Sequence, residues 1–253
     1  MAKFDVFRRR GFDVYEADDR QALETLRQDI FAQAKAIVGD DSNDPESFFD
    51  NFHKRGLRGG ELNAFRMKLI ASCTESLKVN SAVFKAFETT LSEMVGADVA
   101  AQKGVNIVVQ QPGDADQVLT HRDAPANSHF EVIAWVPLVD VYGTKSMFIS
   151  DLEGTSKAVL ALKAGGTYDD YCKSIEATAI DLEVPFGSAC MFAAGVAHGA
   201  KTNSTDETRW TLNIRYKNLF SPYGDKGILE FFDILKTSPL SAVAFEFEKR
   251  EYS

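Results

Sequence analysis

Cysteine is scarce in this chain. Its 253 residues hold three, Cys73, Cys172 and Cys190, too few and too scattered for a disulfide framework and without the paired spacing of a structural zinc site. They read as reduced, mostly buried thiols. No apolar run approaches membrane-spanning length, and the basic start MAKFDVFRRRGFDV lacks the following apolar stretch of a signal peptide. The expected compartment is therefore the cytoplasm, with no membrane partner. Positive charge is in deficit too: 28 Lys and Arg against 37 Asp and Glu leave a formal charge of -9. That balance opposes the phosphate neutralisation on which nucleic-acid affinity depends. A small molecule is the expected partner, and composition specifies no oligomeric state.

With 45% hydrophobic residues, the chain can bury one substantial core, and a single domain over residues 1–253 is expected. The first part, 1–103, reads as mainly helical. Residues 18–39 place Leu23, Leu26, Ile30, Ala34 and Ile37 at three- and four-residue spacing and end in Gly39. Further helical patterns cover about 45–54, 60–76 and 79–96, with the glycine-broken basic loop HKRGLRGGE between the first two of these. After Gly104 the pattern changes. VNIVVQQ, FEVIAWVPL, SMFIS, KAVLAL, IDLEV, SACMFAA and TRWTLNIRYK are short and rich in β-branched and aromatic residues. Turn segments such as PGDAD, DVYGT, KAGG and PFGS separate them. They predict a mainly β chain with helical additions, a jelly-roll core over 104–223. A short helix is expected within 165–178, and closing helices over 224–253.

His121 and Asp123 stand two apart in THRD, so on an extended strand they face the same way. That spacing alone is a weak signal. A third candidate, His198, follows the apolar strand SACMFAAGVA, and two histidines with one carboxylate make the facial triad that suits non-haem iron(II). Arg209 lies eleven residues further. On its strand Arg209, Thr211, Asn213 and Arg215 share one face and Trp210, Leu212, Ile214 and Tyr216 the other. A planar guanidinium held by a strand suits bidentate carboxylate binding.

The order of HxD, a distal histidine in AHG, Asn203 and Arg209 resembles 2-oxoglutarate-dependent oxygenases of the phytanoyl-CoA hydroxylase type. The stretch HRDAPANSHFEVIAWVPLVDVYGTKSMFI is similar to the branch found in carbohydrate biosynthesis clusters. The resemblance covers about residues 104–223. It implies a double-stranded β-helix, a cupin-like jelly roll flanked by helices. It also implies Fe(II) held by His121, Asp123 and His198, with 2-oxoglutarate and O2 as cosubstrates, Arg209 on the distal carboxylate, and Asn203 positioning that region. Further cosubstrate candidates, by location, are Asn106, Gln110, Lys145 and Ser146. Asp123 favours hydroxylation or a related oxidation over halogenation, because halogenases of this scheme carry a small residue there.

For the substrate, Arg58, Arg66, His129 and Arg215 are candidate contacts, with Arg55 nearby. A carbohydrate or sugar conjugate is the first expectation. An amino acid or natural-product scaffold is the alternative, and a non-catalytic cupin-like sugar-binding protein the rival class. Each residue also has a plainer reading. His121 fits an exposed loop, His198 a hydrogen-bonded core histidine, and Arg209 and Arg215 the wet face of an edge strand. Lys145 fits a surface turn, the arginines of 55–66 a solvated face, and Trp135 and Trp210 the core. His53 lies outside the proposed set.

Overall fold

The computed structural model describes residues 2–114, 119–224 and 226–251. The chain opens with α1 (Asp5–Arg10) and β1 (Phe12–Glu16), then α2 (Arg20–Val38), α3 (Pro45–Asp50), a 3-10 turn (Phe52–Arg55), α4 (Gly59–Glu75), α5 (Val79–Ala86) and α6 (Glu88–Val95). Local chemistry sets these boundaries. Asp19 accepts from the Ala22 amide to cap α2, and Gly39 closes it in the left-handed conformation at φ 67°. Asp44 caps α3, with Pro45 in the first turn, where no amide is needed. Leu23, Leu26, Ile30 and Ala34 are buried along one stripe of α2, the stripe its periodicity predicts.

The remaining strands are β2 (Val99–Gln102), β3 (Asn106–Gln110), β4 (Glu131–Pro137), β5 (Met147–Ile149), β6 (Ile180–Asp181), β7 (Ser188–Ala193), β8 (His198–Ala200), β9 (Arg209–Asn218) and β10 (Phe232–Lys236). The larger sheet runs β1-β7-β4-β9-β2-β10, with β3 also on β9; the smaller runs β6-β5-β8. At ten residues, β9 is its spine. One edge pairs with β4, and the other is shared by β2 and β3, with Gln110 opposite Arg209 and Asn106 opposite Asn213.

Three apolar layers position the site. Outside the large sheet, α2 to α6 bury Phe49, Phe52 and Phe65 around Trp210, with ring centroids 4.9, 5.0 and 5.9 Å away. Between the sheets lie Ile133, Trp135, Met147, Ile149, Cys190 and Phe192. Outside the small sheet, α7 (Leu152–Lys163) and α8 (Tyr168–Thr178) cover Phe148.

Several expectations need correction. The chain is mixed α/β, 45% helix and 22% strand, rather than mainly β. KAVLAL is the end of α7: Asp151 caps the helix on the Gly154 amide, and Thr155 and Ala158 bury at helical spacing, which Ala, Leu and Lys favour over a strand. FDILK within the expected closing helices is β10, because the free edge of β2 recruits it. Short helices flank it, α9 (Ile228–Phe231) and α10 (Pro239–Glu251). FDVYE adds an unforeseen outer strand against β7. The helix expected within 165–178 is α8. The last two residues of the PGDAD turn lie outside the described residues.

Candidate active site

His198 opens β8, and its backbone exchanges two hydrogen bonds with His121, each 2.9 Å, in an isolated antiparallel bridge. Directly opposed residues of such a pair project to one side, and the two imidazole centroids are 4.3 Å apart. His121 thus sits on an extra rung of the small sheet rather than on a regular strand. Asp123 follows in a bend, its Oδ1 3.8 Å from His121 Nε2. One ligand atom from each of His121, Asp123 and His198 lies within 4.8 Å of the others, so small side-chain rotations bring all three to one ion.

Hydrogen bonds fix which nitrogens are offered. His121 Nδ1 lies 2.8 Å from Leu119 O and His198 Nδ1 3.2 Å from Val196 O. A carbonyl only accepts, so both Nδ1 atoms carry the proton and both Nε2 lone pairs remain for a metal. Burial, and next the neighbouring His121, pull His198 down to about 4, so at neutral pH it is an uncharged ligand. Asp123 Oδ2 is held 3.1 Å from Arg215 Nη2, while Arg215 Nη1 donates to Gln102 Oε1 at 2.8 Å and Nε lies 3.7 Å from Glu131 Oε2. Arg215 therefore occupies one carboxylate oxygen of Asp123 and leaves the other toward the histidines.

A cavity of ≈ 180 Å3 joins this cluster to Arg209, lined between by Asn106, Val108, Trp135, Met147, Gly199, Ala200 and Asn213. Arg209 and Arg215 share a strand face six residues apart, about 20 Å along extended chain. Arg209 is 3% exposed. Its Nη1 donates to Ser146 O at 2.7 Å, and its Nε has no partner among the described residues. Burial draws it down to about 10, and it keeps its charge at neutral pH. Gln110 Oε1, Thr211 Oγ1, Asn213 Oδ1 and Ser146 Oγ are likewise buried and unpartnered. Buried polar atoms normally find partners. A buried cation that faces the cavity and has no carboxylate partner among the described residues fits an anionic guest. The donor set at the other end, two neutral imidazoles and one carboxylate, fits iron(II).

The remaining candidates are dispersed. Asn106 lines the cavity. Gln110 turns its amide to Lys201 O, and Asn203, fully buried, donates to Glu207 O at 2.7 Å. The Lys145 side chain is 1% exposed, with Asp50 at 2.7 Å and Glu207 at 2.6 Å, so it is neither a surface lysine nor a cavity-lining one. Arg66 donates twice to Ile107 O and Arg55 is paired with Asp40, while Arg58 and His129 are exposed outside the cavity lining. Sequence reasoning missed Gln102 and Glu131 behind Arg215. An acid opening the fully buried strand EVIAWVP was the visible signal for Glu131. Trp135, read as core, also forms cavity wall.

No family model and no curated protein matches the sequence. Solved structures do. The non-heme monooxygenase ThoJ superposes with a TM-score of 0.56 at 16% identity, over 92% of this chain and 82% of that one. The epimerase SnoN, in complex with Fe3+, alpha ketoglutarate and nogalamycin RO, gives 0.51 at 16%, over 88% and 85%. The alpha ketoglutarate dependent carbocyclase SnoK from nogalamycin biosynthesis gives 0.50 at 15%, over 94% of each chain. At such identities the likeness is one of fold: the two facing sheets form a double-stranded β-helix like that of these solved structures.

Proposed function

We propose that residues 1–253 form one 2-oxoglutarate-dependent, non-haem iron(II) oxygenase that oxidises a C–H bond of a natural-product scaffold. The observation that carries this reading is the pairing, in one cavity, of the His121, Asp123 and His198 cluster with a buried guanidinium that has no counter-ion among the described residues. Bound iron would supply O2 activation coupled to decarboxylation of 2-oxoglutarate to succinate. The chain's own residues do the rest. His121 Nε2, His198 Nε2 and one oxygen of Asp123 would hold the ion. Arg209 takes the distal carboxylate of 2-oxoglutarate, which restores the pairing its burial removes. Trp135, Val108 and Met147 keep the intervening space dry, and Asn106 and Asn213 offer amides for orienting a guest.

The carbohydrate expectation has less support than the scaffold one. Arg66, a candidate substrate contact, and Arg55 near it in sequence are engaged by Ile107 O and by Asp40. Arg215 is surrounded by Asp123, Glu131 and Gln102. Among the described residues that line the cavity, no cation beyond Arg209 and Arg215 is left for a charged substrate, which favours an uncharged scaffold. SnoN and SnoK, by their descriptions, belong to nogalamycin biosynthesis.

Anaerobic addition of iron(II) and then 2-oxoglutarate should give a visible metal-to-ligand charge-transfer band, and admission of O2 should convert 2-oxoglutarate to succinate. Asp123→Ala should stay folded by circular dichroism and lose at least about 100-fold in metal affinity. Absence of both the band and succinate in the folded wild-type protein sinks the proposal.

A further inference from the structure

The cosubstrate role of Arg209 depends on where its guanidinium points, and among the described residues a single side-chain hydrogen bond, to Ser146 O, directs it. That carbonyl belongs to the residue after a 3-10 turn, Gly143–Lys145. Lys145 leaves this turn for the interior, where its ammonium meets Asp50 Oδ1 at 2.7 Å and Glu207 Oε2 at 2.6 Å. Both partners lead back to Arg209. Glu207 stands two residues before it, and the main-chain carbonyl of Asp50 accepts from Thr208, the residue between, at 2.7 Å. The contacts therefore close a ring: Lys145 to Glu207, along the chain to Arg209, across its guanidinium to Ser146, and back to Lys145. Tyr142 steadies it by donating to Glu207 Oε2 at 3.1 Å.

A buried ammonium is expensive to desolvate, and simple packing is better served by an apolar side chain of similar volume. The geometry instead ties the cation to the backbone on both sides of one hydrogen bond. We propose that Lys145, clamped by Asp50 and Glu207, is a positioning residue for the cosubstrate: it fixes the separation of Ser146 O from the start of β9 and so aims Arg209 at the distal carboxylate. This rests on the oxygenase reading of the cavity. It reassigns Lys145 from a direct contact to one acting through Arg209.

The test compares two 2-oxo acids on the iron(II)-loaded protein under anaerobic conditions, 2-oxoglutarate and 2-oxobutyrate, which lacks the distal carboxylate. Lys145→Met should weaken 2-oxoglutarate about tenfold while leaving 2-oxobutyrate and iron(II) binding within about twofold, a selective change that general loosening of the fold does not produce. Should Lys145→Met fail to fold, Glu207→Gln serves, since that side chain is 35% exposed and its neutralisation leaves Asp50 on the ammonium. There the same selective loss, about threefold, is expected. Unchanged preference between the two acids in the folded variant, or parallel loss of both acids and of iron(II), overturns the inference. Failure of the wild-type protein to bind 2-oxoglutarate refutes the oxygenase reading instead.

Discussion

The two faces of β9 are made by alternate residues of one strand and differ in almost every physical respect. Outward, Trp210, Leu212, Ile214 and Tyr216 are each 0% exposed and packed among helices. Their polar atoms are satisfied: Trp210 Nε1 donates to Phe49 O at 3.0 Å and Tyr216 Oη to Asn80 O at 2.7 Å. Inward, Arg209 Nε, Thr211 Oγ1, Asn213 Oδ1 and Arg215 Nε are buried without hydrogen-bond partners among the described residues. The outer face holds the sheet in place, and the inner face carries unmet hydrogen-bonding capacity that a guest can fill. Such local conflict concentrates at functional sites because the surrounding packing tolerates it.

The sharpest way to break this contrast is Arg209→Met. On the proposed assignment, 2-oxoglutarate affinity of the iron-loaded protein falls about 100-fold, as expected for a desolvated charge-assisted pair. Metal affinity stays within about twofold, and thermal stability is unchanged or higher, since a buried, uncompensated guanidinium has been replaced by an apolar chain of similar size. Isothermal titration and a melting curve read both. Lost stability with retained 2-oxoglutarate affinity would make Arg209 a structural residue, the reverse of its proposed part.

A smaller effect comes from the histidine across the cavity from that strand. His198 is held near 4 in the folded, metal-free protein by burial first and His121 second, against about 6.5 when unfolded. Between those values the unfolded chain binds more protons than the folded one, so stability rises with pH and is lost as pH falls from about 6.5 toward 4. Lowering pH from 7.5 to 5 should cost about 2 kcal/mol from this group alone. Urea unfolding at the two pH values, repeated for His198→Gln, isolates the contribution; an equal pH dependence in both proteins would remove His198 as its source.

How much of this was legible beforehand follows from the range of the interactions. His121, Asp123 and His198 could be read because metal chemistry restricts residue types and the chain has four histidines to draw on. The alternation in TRWTLNIRYK announced both faces of β9, since a strand's period is local. Lys145 was not legible in the same way: its partners are 95 and 62 residues distant, and a turn lysine two residues after a glycine reads as solvated. Arg66 was misread for a similar reason, because its partner is a main-chain carbonyl of β3, which no side-chain pattern advertises. KAVLAL has a composition compatible with either element, and the deciding cap, Asp151, lies six residues upstream of it.

The finest probe of the two-faced strand is a single methylene on its outer side. Ile214 lies between Asn213 and Arg215, which both line the cavity, yet its own side chain is wholly buried toward the helices. Ile214→Val should cost about 1 kcal/mol of stability, measurable by urea unfolding, with iron(II) and 2-oxoglutarate affinities unchanged within about twofold. The expectation follows from rigidity: β9 is paired to β4 over residues 211–217 on one edge and, on the other, to β3 over 209–213 and to β2 over 216–218, so a small outer void relaxes into the helices before it tilts the strand. A loss of 2-oxoglutarate affinity larger than about threefold would mean that outer packing sets the pitch of the inner side chains, and the helices of the first hundred residues would then be part of the site.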